Sequence, residues 1–482
     1  IWGKADPSEK VCVKFQKKQY KVTADENGKW AVTLPAMKAG GPYSMTINDI
    51  VLNDILVGDV FLCSGQSNME LPVNRVMDKY ADEIEGYENT SVRYVKEDIR
   101  PVTWRPMTTE NVKDFSAICY FFSRLLEEKT NVPVGIINAS WGGTPVEAWV
   151  SEKGLQNFPE YVHQKALYED TELVSRITET ERLHQQAWNK VLYKSDAGLH
   201  GVTPWYAEDY DDSDWEKVDM FSDNWAIRNG RPLNGVHWFR KDFFVPEDWS
   251  GKEAVLRLGC IVDADSVFVN GHFVGTVSYQ YPPRIYKVPS KLLKKGKNQL
   301  TVRLFSYGGR PSFVKEKPYK LICDGKEVNL EGGWKHKIGT VMPPSPSSTA
   351  FHYTPVGLYN GMIYPLRHYT FKGVVWYQGE SNVGRWSEYS SLLSALIADW
   401  RTLFKDETLP FYIIELADFL ASDDPGRAAW AELRKQQAKT ARENAHVTLI
   451  KNSDTGEWND IHPLDKKTAA TRLVEAVIQN EK

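Results

Sequence analysis

The sequence predicts an α/β protein whose parallel sheet is interrupted by a long β-rich segment and preceded by a small β-domain. Three observations carry this reading. First, four apolar runs lack alternation: "ILVGDVFLCSG" (55–65), "VPVGIINASWGG" (132–143), "FKGVVWYQGESN" (371–382) and "LPFYIIELAD" (409–418). Such runs fit strands buried on both faces. Second, "AICYFFSRLLEEKT" (117–130) and "SSLLSALIADWRTLF" (390–404) have helical apolar spacing and alternate with those strands, the order of a doubly wound sheet. Third, residues 198–341 switch to period two, as in "EAVLRLGCIVDADSVFVNGHFVGTV" (253–277) and "NQLTVRLFSY" (298–307). Asn270-Gly271 supplies a hairpin turn there.

The elements follow in order. Residues 1–53 alternate in "KVCVKFQ", "KWAVTLP" and "YSMTIND", separated by Asn27-Gly28 and Gly40-Gly41-Pro42. They predict a small antiparallel β-domain, and its opening residues read as the middle of such a domain, truncated at its start. Residues 54–197 form the first part of the α/β domain and end in a polar helical stretch. Residues 198–341 predict an inserted β-sandwich. "MPPSPSS" (342–348) returns the chain to the α/β domain, which occupies 342–482 and closes with a helix near 465–480.

Bulk properties exclude several classes. The 482 residues carry a net charge of −4, so nothing favours nucleic acid as a partner. No run of eighteen apolar residues occurs, and no membrane-inserted helix is expected. The five cysteines (Cys12, Cys63, Cys119, Cys260, Cys323) form no C-x-x-C, which argues against a zinc ribbon or a disulfide scaffold. Cys63 and Cys119 sit in apolar runs and read as core residues. The 17 Trp, 23 Tyr and 19 Phe suit sugar stacking and core packing equally.

The chemistry centres on "FLCSGQSNMELP" (61–72). An apolar strand ends at a glycine and presents Ser67 between two amides, Gln66 and Asn68. Two other strand ends also finish in small or polar groups, Gly142-Gly143 and Gln378-Gly379-Glu380. Ligands of open α/β sheets bind at such carboxyl ends. A serine nucleophile there needs a base, an orienting acid and oxyanion donors. His462 in "EWNDIHP" (457–463) has Asp460 beside it. Each element alone is weak, because a lone serine after a strand is most often structural; the combination is what points to catalysis. Gly65-Gln66-Ser67-Asn68-Met69 lacks the second glycine of the G-x-S-x-G elbow, so the α/β-hydrolase fold is rejected. H-E-x-x-H, P-loop and G-x-G-x-x-G motifs are absent.

Taken together, "GQSNME", "NASWGGTPVEAW", "GLYNGMIYPL", "WYQGESN" and "DIHP" resemble the sialate O-acetylesterase family of the SGNH (GDSL-like) hydrolase superfamily, over about 54–150 and 345–480. The inserted segment is similar to the jelly-roll sugar-binding domain of some glycoside hydrolases. The resemblance implies an SGNH-type, flavodoxin-like parallel sheet with helices on both faces. It places Ser67 as nucleophile, His462 as general base and then acid, and Asp460 as the orienting carboxylate. The superfamily spacing is D-x-x-H, which would fall on Asn459; the D-I-H-P branch keeps Asp460. It implies an oxyanion hole from the Ser67 N–H, a glycine N–H (Gly143 in preference to Gly142) and an amide, Gln378, with Asn382 as rival. Gln66 and Asn68 are expected to anchor the nucleophile turn. Glu380 is expected to fix the Gln378 loop and Glu147 the "WGG" turn, each with an ion pair as the alternative.

Met69, Trp141 and Tyr377 are expected to wall a small acyl site. Trp141, Trp149, Trp376 and Trp386 either line it or pack the core. No metal or organic cofactor is expected. The implied substrate is an O-acetylated carbohydrate, 9-O-acetylated sialic acid first, acetylated xylan or another plant polysaccharide second. A catalytically inactive carbohydrate-binding protein is the reading from a different class. The resemblance also implies a secreted or periplasmic bacterial enzyme.

Overall fold

Seven strands carry the strand ends singled out above: β1 (Asp59–Gly65), β2 (Asn89–Lys96), β3 (Arg105–Met107), β4 (Val134–Ser140), β5 (Gly373–Tyr377), β6 (Phe411–Ile414) and β7 (Val447–Ile450). The computed structural model describes residues 1–97 and 103–480. In the sheet the order is β7-β6-β5-β1-β4-β2-β3. All neighbours are parallel except the antiparallel edge strand β3. From β1 the chain builds one side of the sheet, β2 to β4, and later the other, β5 to β7. The direction therefore reverses at β1, the place at which open α/β sheets bind their ligands, beyond the carboxyl ends of the strands. Register fixes its level: Gly65 lies beside Ser140 on one side and Tyr377 on the other. The three loops after β1, β4 and β5 thus leave the sheet at one height.

Helices cover both faces. Phe61 of β1 meets Phe122 of α1 (Ala117–Thr130) at 5.0 Å between ring centroids. Trp376 of β5 lies beside Ser64 in register, on the opposite side of the pleat from Phe61, and meets Trp400 of α2 (Trp386–Phe404) at 5.8 Å. Ser116 caps α1 by accepting from the Cys119 N–H, and Asn131 closes it in a left-handed conformation. The helices α3 (Arg427–Glu443) and α4 (Lys467–Asn480) complete the two layers. Cys63 and Cys119 are buried in this core, as their apolar settings predict.

The run 55–65, read from sequence as one strand, is divided at Gly58. Ile50–Val57 belongs to a four-stranded antiparallel sheet with Gly40–Ile47, Lys10–Phe15 and Lys18–Thr23. That sheet has its own small core around Val13, Phe15 and Met45. Residues 1–169 and 350–482 form one compact unit and 170–349 a second.

The second unit holds a six-stranded and a four-stranded antiparallel sheet, and Phe239, Leu256, Val302 and Leu321 from both share one core. The helix Thr171–Ser195 packs Trp188 and Leu192 with Trp238 and Phe305 of the larger sheet. Two buried histidines lie in the same unit. His237 Nε2 faces the Leu233 carbonyl at 2.8 Å and therefore carries the proton; His237 Nδ1 then accepts from His336 Nε2 at 3.0 Å. Burial pulls His237 down to about 4 and His336 to about 3, the latter also repelled by His237. The unfolded chain takes up these protons near pH 6.5, whereas the folded chain refuses them until far lower pH. Stability is therefore full above pH 6.5 and declines as pH falls toward 4 and 3. His237 alone accounts for about 3 kcal/mol. Urea midpoints at pH 7 and pH 4.5 check this: the drop is expected to shrink in His336→Gln, which keeps a donor but does not titrate, and an equal drop would contradict it.

Among the described residues no helix is long and apolar enough to cross a membrane.

Candidate active site

The turn after β1 is built around Gly65. Its φ is +139°, and a Cβ there would fall 2.1 Å from the Tyr377 carbonyl oxygen of the neighbouring strand. That carbonyl accepts from the Gln66 N–H at 3.1 Å, while the Gly65 carbonyl accepts from the Trp141 N–H, also at 3.1 Å. Ser67 then opens the short helix Ser67–Glu70. The Gln66 carbonyl accepts from the N–H groups of Met69 and Glu70, at 2.9 and 3.0 Å. Ser67 is half-buried, whereas Gln66 and Asn68 on either side are buried.

Both amides tie loops together, as anchors of this turn should. Gln66 Oε1 accepts from the N–H groups of Gly379 and Ser381, at 3.3 and 3.2 Å. Asn68 Nδ2 donates to Glu380 Oε1 at 2.6 Å and to the Ile461 carbonyl at 2.9 Å; its Oδ1 accepts from Lys466 Nζ at 2.7 Å. The residue after Ser67 therefore grips the residue before His462. Glu380 is half-buried against this amide, and desolvation of its carboxyl group pushes the pKa up. Lys466, which also donates to the Pro463 carbonyl at 2.7 Å, is pulled down by burial to about 8, with Asp460 and Glu380 opposing. Asn68→Ala removes the shared partner of all three groups. It is expected to lower kcat about 10²-fold through misplacement and to lower the melting temperature; wild-type kcat in a steady-state assay would contradict this.

The "WGG" turn closes the opposite side. A Cβ on Gly142 would lie 3.5 Å from Ser67 Cβ. The Gly142 N–H donates to Glu70 Oε2 at 2.7 Å, and Glu70 Oε1 receives Lys96 Nζ at 3.1 Å. The Gly142 carbonyl accepts from the Tyr353 hydroxyl at 2.7 Å. Gly143 has φ +76°, and a Cβ there would meet that same hydroxyl at 2.7 Å. Trp141 and His352 stand beside this turn, 5.2 Å between ring centroids.

His462 lies in the loop after β7 and is 8% exposed. Burial pulls its pKa down to about 3, with the charges of Lys466 and Arg75 adding. It is a neutral imidazole at neutral pH. Asp460 Oδ1 accepts from the His462 backbone N–H at 2.9 Å, an Asx-type turn that fixes the loop.

Several expectations are corrected. Gln378 is fully buried, and its Nε2 donates to the Thr144 carbonyl at 3.1 Å and to Asn382 Oδ1 at 2.8 Å. Both bonds hold the loops after β4 and β5 together. Asn382 is also buried: its Oδ1 accepts from the Val146 N–H and its Nδ2 donates to Glu147. Glu147 forms the ion pair of the alternative reading, with Arg385 at 2.5 Å. Met69 and Tyr377 do not wall a site, for both are buried; Met69 Sδ meets Cys119 Sγ at 3.7 Å, and the Tyr377 hydroxyl accepts from Asn452 Nδ2 at 2.9 Å. Trp149 and Trp376 are core residues, and Trp386 packs partly buried against that core. The residues missed are Glu70, Tyr353 and Lys466. Glu70 stands in the quoted motif, three residues past Ser67, and Lys466 four past His462; only the fold brings Tyr353 to the turn.

Residues 57–193 and 335–479 match the family described as carbohydrate esterase, sialic acid-specific acetylesterase. Because these stretches make up more than half of the sequence, the chain belongs to this family of carboxylic ester hydrolases. Residues 175–332 match the sugar binding domain of glycosyl hydrolases family 2. The sialate O-acetylesterase of Homo sapiens is 33% identical over 187 residues, covering 32% of this chain and 36% of that protein. That of Mus musculus is 32% identical over 187 residues, covering 32% and 35%. The chain thus spans about a third of the length of these relatives. A carbohydrate acetylesterase from Xanthomonas citri shares the fold, with a TM-score of 0.54 and 22% identity over 99% of this chain and 69% of that one.

Proposed function

We propose that this protein is a serine esterase that removes O-acetyl groups from carbohydrates, with 9-O-acetylated sialic acid as its substrate. The observation that carries the reading is Asn68, which joins the Ser67 turn to the His462 loop while Gly142 backs onto Ser67. The family and the sialate O-acetylesterase relatives support the acetyl sugar. The sheet is read as SGNH-type and the second unit as a jelly roll.

In the mechanism, His462 takes the Ser67 hydroxyl proton as Oγ attacks the acetyl carbonyl carbon. The oxyanion forms against the N–H of Ser67, at the first turn of its helix where no intrahelical acceptor exists, and that of Gly143. Gly142 is the weaker candidate because its N–H already serves Glu70. The carbonyl re-forms, the bond to the sugar oxygen breaks, and His462 returns its proton to that oxygen. Water, deprotonated by His462, then attacks the acetyl-Ser67 ester; the bond between Oγ and the acyl carbon breaks, His462 returns the proton to Ser67 Oγ, and acetate leaves. Asp460 holds the loop that aims the imidazole.

A base with its pKa pulled to about 3 stays unprotonated through mild acid. The acid limb of kcat/KM is expected below pH 5, and Lys466→Met, which removes a repelling cation, is expected to move it upward. A wild-type limb centred near pH 6.5 would contradict this. The substrate is tested by acetate release from 9-O-acetylated sialic acid and from acetylated xylan oligomers. Release from the first alone is expected. A preference for xylan would keep the chemistry and overturn the substrate; no release from either would favour the carbohydrate-binding reading, to which the sugar binding domain match lends support.

A further inference from the structure

A backbone donor stabilises an oxyanion best when it is aimed before the charge develops. Two glycines in succession, Gly142 and Gly143, do not aim one on their own. Their neighbours fix the first part of the turn. The Trp141 N–H donates to the Gly65 carbonyl at 3.1 Å, which ties the turn to the nucleophile strand. The Trp141 carbonyl accepts from the Thr144 hydroxyl at 2.8 Å, and the Gly142 N–H donates to Glu70 Oε2 at 2.7 Å. These bonds leave the next peptide group, between Gly142 and Gly143, still to be oriented.

The Tyr353 hydroxyl orients it, by donating to the Gly142 carbonyl at 2.7 Å. That carbonyl and the Gly143 N–H belong to one planar peptide group. The bond is trans, so the two point in opposite directions. Holding the carbonyl on Tyr353 therefore turns the Gly143 N–H away from Tyr353. Gly143 is exposed, and its N–H meets no acceptor among the described residues. A flipped peptide would present an oxygen lone pair in place of the donor. The hydroxyl also stands 2.7 Å from where a Cβ on Gly143 would lie, so glycine at 143 is what lets it approach.

Tyr353 is itself held in place. Its ring meets His352 at 4.2 Å between centroids, and its N–H donates to the Ala350 carbonyl at 2.8 Å. Three residues on, Val356 is buried with φ +71°. A β-branched residue adopts that conformation only where its surroundings impose it. The Val356 N–H donates to the Glu147 carbonyl at 3.1 Å. The stretch 353–356 is thus bonded to the chain on both sides of Gly143, at Gly142 and at Glu147.

We infer that Tyr353 is a positioning residue of the esterase site: through the Gly142 carbonyl, its hydroxyl holds the Gly143 N–H toward the acyl oxygen on which the negative charge forms. The inference rests on the proposed Ser67 chemistry. Because Tyr353 acts through a donor that matters most when that oxygen is charged, its effect falls on the transition state more than on the bound ester.

The test compares wild type, Ser67→Ala and Tyr353→Phe on an aryl acetate, with thermal melting on the same preparations. Methylboronic acid, which adds to a serine oxygen as a tetrahedral anion, serves as the second probe. Tyr353→Phe is expected to lower kcat about tenfold. KM is expected to stay within about twofold, since acylation and deacylation both pass through an oxyanion. Inhibition by methylboronic acid is expected to weaken by a factor similar to that in kcat. Gly143→Ala displaces the hydroxyl with a methyl group instead of deleting it, and so keeps the test open if Tyr353→Phe does not fold. It is expected to show the same split between kcat and KM, and the double variant to lose less than the product of the two losses. Wild-type kcat in Tyr353→Phe, with turnover still dependent on Ser67, would overturn the role of Tyr353 alone. So would a raised KM and a lower melting temperature with boronate inhibition unchanged, which would make the hydroxyl a fold contact. Undiminished turnover in Ser67→Ala would instead overturn the nucleophile, and the role of Tyr353 with it.

Discussion

Ser67→Ala is expected to lower acetate release by roughly 10⁴-fold or more, because a nucleophile acts as a unit with its base and its loss leaves only binding and oxyanion stabilisation. Folding is expected to survive. Ser67 is half-buried, and the contacts that build its turn come from its backbone and from Gln66 and Asn68. Stability is therefore expected within ~0.5 kcal/mol of wild type. Turnover and thermal melting on the same preparation separate the two effects. Activity persisting at a tenth of wild type would remove Ser67 from the chemistry; loss of both activity and melting transition would make it structural.

Gly65→Ala is expected to have the largest structural effect. The site depends on β1, β4 and β5 ending at one level, and at that level the Tyr377 carbonyl sits where an alanine methyl would go, 2.1 Å away. The carbonyl is backbone and the methyl is bonded directly to Cα, so neither can swing aside. The φ of +139° adds strain of ~1–3 kcal/mol. Together a loss of at least ~3 kcal/mol is expected, read as a lower urea midpoint with unchanged m-value. A wild-type midpoint would show that the strands do not meet as described.

The sequence made the parallel sheet legible because its strands are apolar runs punctuated by glycine, and the helix 117–130 because its apolar spacing is helical and its end is charged. The division of 55–65 at Gly58 was not legible: the residues on either side are equally apolar, and pattern alone does not say which sheet a strand joins. The nucleophile turn was readable as a motif, and the reason Gln66 and Asn68 flank the serine became physical only with their partners, Gly379, Ser381, Glu380 and Ile461, hundreds of residues away. Gln378 shows the limit. An amide at a strand end can face ligand or interior, and the choice is made by Thr144 and Asn382, together with Tyr389, whose hydroxyl donates to the Gln378 carbonyl at 2.8 Å. Lys466 was missed for a general reason: lysine is rarely buried, and the Pro463 carbonyl and Asn68 amide gathered by the fold make its burial tolerable.

The most direct test is to trap the covalent intermediate. Wild-type protein mixed with 9-O-acetylated sialic acid, quenched in acid within the first turnover and digested, is examined by mass spectrometry. The account predicts one added acetyl group on the peptide containing Ser67, absent from Ser67→Ala and lost when the quench is delayed past turnover. Acetate release without any acetylated Ser67 peptide, or an acetyl group on another residue, would contradict it.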